Sequence, residues 1–241
     1  MLRALLGTRA SKSAFSPIAP EKAFCAIGDV HGCADLLDNA LRQARDIPVV
    51  CVGDYIDRGD RSREVLRMLH ARPNVTCLSG NHEEMMLRFV EKPEEYGKRW
   101  LRYGGVQTLA SFDVEGVDEF SDSDKMRSAR DQLVARMGES MLQWLKTLPS
   151  IWRSGNLAVV HAGANPFVPL ERQSSAVLHW GHPDFCKRRR DDGVWVMHGH
   201  TIVDKPKVEN GRIAIDTGAY ATGRLTLAHV DASGVTFETV C

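Results

Sequence analysis

Residues 22–83, KAFCAIGDVHGCADLLDNALRQARDIPVVCVGDYIDRGDRSREVLRMLHARPNVTCLSGNHE, decide the fold. Three times a short apolar run ends in glycine: Lys22–Gly28 (KAFCAIG), Pro48–Gly53 (PVVCVG) and Asn74–Gly80 (NVTCLSG). After the first run Leu36, Leu37, Ala40, Leu41 and Ala44 recur at helical spacing. After the second Val65, Leu66 and Leu69 do the same, and Glu83–Val90 reads as the helix after the third. Strand, loop and helix repeated in this way predict an α/β (α+β) fold with βαβαβ units, whose strands run parallel under covering helices.

Outward from this segment the rhythm breaks and then returns. Residues 91–150 predict a helical insertion, either a cap over a site or a layer on one sheet face. It is interrupted at Gly104-Gly105 and stopped by Pro149. Strands return at Asn156–Val160, Gly193–Met197 and Arg212–Ile215, and Arg224–Val230 with Gly234–Val240 predicts a hairpin. Residues 1–20 carry Arg3, Arg9 and Lys12 without an acid, so a flexible arm is expected there. An organelle transit segment is the alternative reading. Residues 21–241 are expected to form a single domain.

Composition narrows the classes. Of 241 residues 43% are hydrophobic, enough for a sizeable core. Lys+Arg and Asp+Glu both number 31, a balance that argues against a protein built to hold a nucleic-acid backbone. No run approaches the roughly 18 apolar residues of a membrane span, so no membrane partner is expected. The 6 cysteines form no C-x-x-C pair, and Cys25, Cys51 and Cys77 sit inside apolar runs, which fits a reducing, cytoplasmic compartment.

Each strand end is crowded with ligand-type side chains. Gly28-Asp29-Val30-His31-Gly32 follows the first run, Gly53-Asp54-Tyr55-Ile56-Asp57-Arg58-Gly59 the second and Gly80-Asn81-His82-Glu83 the third. His161 and His198-x-His200 end two later strands. Ligands collect at the carboxyl ends of strands in such sheets, so these residues are expected to meet at one edge. Oxygen and imidazole donors suit Mn²⁺, Fe or Zn²⁺. A structural zinc site would use four ligands, usually with cysteine. Asp29, His31, Asp54, Asn81, His161 and His200 make a set of six, which suits two ions sharing one carboxylate.

Asp29-x-His31-Gly32, Gly53-Asp54-x-x-Asp57-Arg58-Gly59, Gly80-Asn81-His82-Glu83, His161-Ala-Gly and Gly199-His200-Thr201, in this order, resemble the phosphoprotein phosphatase family of calcineurin-like metallophosphoesterases, in its bacterial and phage serine/threonine phosphatase branch. That branch also resembles bacterial diadenosine tetraphosphatase. The resemblance spans about Cys25 to Val230 and implies a β-sandwich with helices on both outer faces. It implies two divalent ions, manganese by expectation, with iron or zinc as alternatives. Asp29 and His31 would hold the first ion, Asp54 would bridge, and Asn81, His161 and His200 would hold the second. His82 would be the general acid, Asp57 would orient its imidazole, and Arg58 would clamp the phosphate. The implied reaction is hydrolysis of phosphoserine or phosphothreonine in proteins by hydroxide generated at the metals, so the expected partner is a phosphoprotein or a phosphorylated small molecule. A dinucleoside polyphosphate hydrolase and a catalytically weak metal-binding scaffold are the alternatives.

The sequence departs from that family at one place. Relatives carry a second phosphate-binding arginine as Trp-x-Arg, and here the stretch reads Trp180-Gly181-His182. His182 is the expected substitute, with Arg172 or Arg188–Arg190 as further candidates. Asp216 and His198 are expected to be structural, and Glu83 to favour the start of its helix.

Overall fold

A computed structural model describes residues 15–241. Two five-stranded sheets pack face to face. The first sheet takes β1 (Phe24–Ile27), β2 (Val49–Cys51) and β3 (Val75–Cys77) as parallel neighbours, and β9 (Leu225–Asp231) and β10 (Gly234–Val240) add an antiparallel hairpin beside β1. The second has β5 (Leu157–Val160), β6 (Trp195–His198) and β8 (Arg212–Ala214) parallel, with β4 (Ile151–Ser154) and β7 (Lys207–Glu209) antiparallel at its edges.

Side chains of period two sort the core into layers. Phe24, Ala26, Val50, Val52 and Leu78 point from the first sheet onto Leu157, Val159, Met197 and Ile213 of the second. Cys25, Ile27, Cys51 and Cys77 point the other way. There they meet α1 (Ala34–Ala44), α2 (Ser62–His70) and α3 (Asn81–Glu91). Ala158, Val160 and Val196 face Leu178 of α8 (Ser175–Trp180) on the far side. Strands buried on both faces have no polar side to show, which is why their sequences are continuous apolar runs.

Residues 91–150 are helical as expected. They form α4 (Pro93–Trp100), a π-helical turn over Leu101–Gly105, α5 (Val106–Ser111), α6 (Ser123–Met137) and α7 (Glu139–Lys146). Leu109, Phe112, Leu133 and Leu142 pack into the helix layer over the first sheet, so the segment is a layer, and at α4 and α5 it also reaches the strand-end loops. Residues 1–14 of the expected arm lie outside the described residues. Residues 15–20 are seated on the second sheet. Ile18 joins the layer between the sheets, the Trp195 indole donates to Ser16 O, and Asn156 brackets Pro17 and Ala19. The arm boundary expected at residue 20 is corrected to that extent: Ile18 is apolar, and Trp195 and Asn156 offer it a side of the sheet to lie on.

Candidate metal centre

Because β1, β2 and β3 are parallel, as are β5 and β6, their carboxyl ends share one edge of the sandwich. The loops there turn sharply. His31, Asp54, Asp57, Arg58 and His200 all have positive φ, between 43° and 72°, an uncommon state for residues other than glycine. Gly199 shows how close the approach is, since a Cβ there would stand 1.9 Å from Asp29 Oδ1.

Two groups of donors converge on Asp54. One is His31, Asp54 and His82, the other Asp54, His161 and His200. His31 Nδ1 donates to Ile56 O at 2.8 Å, and its Nε2 faces Asp54 Oδ2 at 3.5 Å. Burial depresses the His31 pKa to about 3, so its Nε2 lone pair is free. Asn81 opens α3, and its Oδ1 lies 2.8 Å from both His161 Nε2 and His200 Nδ1. His200 binds the second sheet to the first, because its backbone N–H donates to both Asp29 oxygens at 3.2 and 3.0 Å.

The donor set fits cations. His161 Nδ1 donates to Val52 O at 3.1 Å, so the neutral ring turns a bare Nε2 towards Asn81 Oδ1 and Asp54 Oδ1, the latter at 3.3 Å. Acceptor then faces acceptor, and only a proton or a metal ion between them relieves the repulsion. Burial alone would raise the Asp54 carboxyl, but the imidazoles of His161, His82 and His31 hold it well below the usual range. Asp29 goes the opposite way, raised by burial and by neighbouring Asp216.

Beside this cluster lies a second arrangement. His82 Nδ1 sits 2.6 Å from Asp57 Oδ2, and the Arg58 guanidinium lies 3.3 Å from His82 Nε2. Burial opposes charge on His82, yet Asp54 and Asp57 outweigh it and raise its pKa above the ordinary value. In the charged ring Nδ1–H serves Asp57 and the second proton sits on Nε2, where the Arg58 guanidinium, itself only a donor, works against it. The Arg58 guanidinium also stacks over the Tyr220 ring at 4.8 Å.

Several contributors were not read from the sequence. Glu83 lies in the first turn of α3, which begins at Asn81, and its carboxylate accepts the backbone N–H groups of Tyr55 (2.8 Å), Asp54 and Gly80 (both 2.9 Å). It therefore fixes two strand-end loops at once. Trp100 and Thr108 reach Asp57 from the insertion, and Tyr220 comes from the short helix α9 (Ala219–Thr222). Their separation along the chain hides these contacts. Only Glu83 carried a local signal, as the third residue after Gly80 in a capping arrangement.

The other sequence candidates divide. His182 is half-buried, and its Nδ1 accepts the Asp184 N–H at 3.2 Å. Arg190 is buried on Asp192 and the carbonyls of Asn165 and Val168, a structural use of its five donors. Arg172 and Arg188 are exposed. His198 packs against Phe185, with its pKa lowered by burial to about 4, and Asp216 Oδ1 accepts Gly218 N–H at 2.8 Å. His179 is buried and joins α8 to α3 and to the turn before β4, touching Glu84 at 2.8 Å and Ser150 at 2.9 Å.

A family model described as calcineurin-like phosphoesterase matches residues 23–204. Serine/threonine-protein phosphatase 2 of Escherichia coli (strain K12) is 42% identical over 217 residues, 83% of this chain and 89% of that protein. The asymmetrical bis(5'-nucleosyl)-tetraphosphatase PrpE of Bacillus velezensis is 29% identical over 233 residues, 85% of this chain and 87% of that one. A solved structure of a candidate diadenosine tetraphosphatase superposes with a TM-score of 0.64 at 20% identity, covering 92% of this chain and 95% of that one.

Proposed function

The chain belongs to the calcineurin-like phosphoesterase family, and from that premise we propose that it hydrolyses phosphoserine and phosphothreonine in proteins with the help of two divalent ions, manganese being the expected metal. The observation that carries the reading is the His82–Asp57 pair at 2.6 Å, with Arg58 on the opposite ring nitrogen of His82. A serine or threonine alkoxide leaves poorly, so hydrolysis of its phosphate needs a proton donor at the leaving oxygen. Support for a protein substrate comes from the 42% identity to the Escherichia coli serine/threonine phosphatase.

Divalent ions at the site supply Lewis acidity, which activates water and offsets phosphoryl charge. Asp29 and His31 would hold one ion, Asn81, His161 and His200 the other, and Asp54 would touch both. Arg58 binds phosphoryl oxygens through its planar fork, and the Tyr220 ring beneath it limits its swing. Asp57 accepts the His82 Nδ1–H and favours the charged imidazolium, whose other proton, on Nε2, passes to the leaving oxygen. His182 accepts the Asp184 N–H at Nδ1, which leaves an Nε2–H as the donor it would offer to a phosphate.

A second reading, hydrolysis of dinucleoside polyphosphates, is favoured by the likeness to PrpE. Phosphate release is therefore to be measured with added Mn²⁺ on a phosphothreonine peptide and on diadenosine tetraphosphate side by side. Peptide turnover that falls by about 10²–10⁴ in His82→Ala is the expected result. A strong preference for the dinucleotide overturns the protein substrate, and silence on both leaves the metal-binding scaffold.

Metal binding is expected to release a proton. Burial opposes charge on His161, but Asp54 and Asp29 push its pKa up to about 9, so the ion-free ring is charged near neutrality. A ligating imidazole must be neutral. Affinity for Mn²⁺ should therefore climb towards about tenfold per pH unit from pH 7 and level off as pH passes His161's pKa of about 9. Calorimetric titrations in buffers of different ionisation enthalpy check this. An affinity flat across that range contradicts it.

A further inference from the structure

Asp57 is fully buried, yet a turn of the insertion supplies it with donors on both oxygens. The Trp100 indole N–H spans the carboxylate, 2.9 Å from Oδ2 and 3.1 Å from Oδ1. The Thr108 hydroxyl donates to Oδ1 at 2.6 Å and accepts the backbone N–H of Asp57 at 2.8 Å. His82 takes the remaining side of Oδ2. Burial pushes the Asp57 pKa up, and the bonds from His82, Thr108 and Trp100 work against that rise.

The backbone of the insertion is shaped around this contact. Gly104 has φ 110°, and its carbonyl accepts the Arg58 N–H at 3.3 Å. A Cβ on Gly104 would stand 2.6 Å from Arg58 N, and one on Gly105 would stand 2.6 Å from the Trp100 ring. The glycine pair that interrupts the helix therefore makes room for the indole and lets the turn dock on the Asp57-Arg58 loop. Asp57 has φ 72°, so its backbone sits in an unfavourable state that the Thr108 clamp holds.

We infer that Trp100 and Thr108 are positioning residues for proton delivery, fixing the Asp57 carboxylate that aims His82 at the leaving oxygen. The helical insertion is thereby part of the acid machinery. This rests on the reading of His82 as general acid. Its signature is dependence on the leaving group: an alkoxide needs the proton, whereas a nitrophenolate leaves without it.

The experiment compares kcat on a phosphothreonine peptide with kcat on p-nitrophenyl phosphate in the full chain with Mn²⁺. Trp100→Phe and Thr108→Val should each lower the peptide-to-aryl ratio of kcat about tenfold, a fraction of what loss of the acid itself costs, and Thr108→Ser, which keeps the hydroxyl, should restore it. A second readout needs no metal. The His82 Nδ1 proton, in a 2.6 Å bond to a buried carboxylate, should give a far-downfield, exchange-protected proton resonance that weakens in Trp100→Phe and Thr108→Val. Equal losses on both substrates, or an unmoved ratio and resonance while His82→Ala collapses the ratio, overturn the inference and leave the acid reading standing. A ratio that His82→Ala does not move overturns both.

Discussion

Asp54→Asn should abolish binding of the metal pair and lower phosphatase turnover on the order of 10³–10⁴, the rate equivalent of the several kcal/mol expected from metal-assisted charge stabilisation. Asp54 is the one residue common to both donor groups. Its Oδ1 faces His161 and accepts the His82 N–H at 3.0 Å, while Oδ2 faces His31. An amide puts an N–H₂ where one ion needs an anionic oxygen, whichever way it turns. Single changes elsewhere, such as His31→Ala or His200→Ala, should cost one ion and leave the other. Thermal melts with and without Mn²⁺ separate the cases, because an ion that binds only the folded state raises its stability. The wild-type melt should shift upward and the Asp54→Asn melt should not. A variant that still binds two ions at wild-type affinity would remove Asp54 from its bridging role.

Glu83→Ala should be the most destabilising single change near the site, by about 3–5 kcal/mol, a third or more of what a domain typically has. The side chain is fully buried and accepts three backbone N–H groups. Its removal strands all three, each at about 1–3 kcal/mol and not additively, because a water can partly replace a carboxylate. Glu83→Gln should fall between, since the amide keeps one acceptor and turns a donor onto an N–H. Burial with Asp54 nearby already pushes the Glu83 pKa to about 7, so the site tolerates an uncharged acid better than a missing one. Urea denaturation of both variants, with the slope checked for two-state behaviour, gives the difference. A loss under about 1 kcal/mol in Glu83→Ala would mean that the loops are held by other contacts.

The sequence was most informative where chemistry repeats locally. Three apolar runs ending in glycine became β1, β2 and β3, and the ligand-type residues just beyond them do meet at one edge. The hairpin over residues 225–240 was legible from its alternation and turn. Other parts carried no local mark. β7 (KVE) is exposed along its length and has no apolar side to betray it. β4 holds Arg153 and no uniform burial, and it exists because β5 pairs with it. Trp100 and Thr108 lie 43 and 51 residues from Asp57, so nothing near them in the chain announces a carboxylate. Gly104-Gly105 was visible as an interruption, and its purpose became readable only with the indole beside it.

The six candidate donors are drawn from both sheets: Asp29, His31, Asp54 and Asn81 from the first, His161 and His200 from the second. The contact of His200 with Asp29 closes a separation of 171 residues. Non-local closures of this kind are slow steps in folding. The ion assigned to Asp29, His31 and Asp54 finds its ligands on the first sheet alone, whereas the other gains His161 and His200 only after the sheets have docked. The rate at which this second ion is tightly captured during refolding should therefore time the meeting of the two sheets rather than the formation of either, making that ion a clock for the one event.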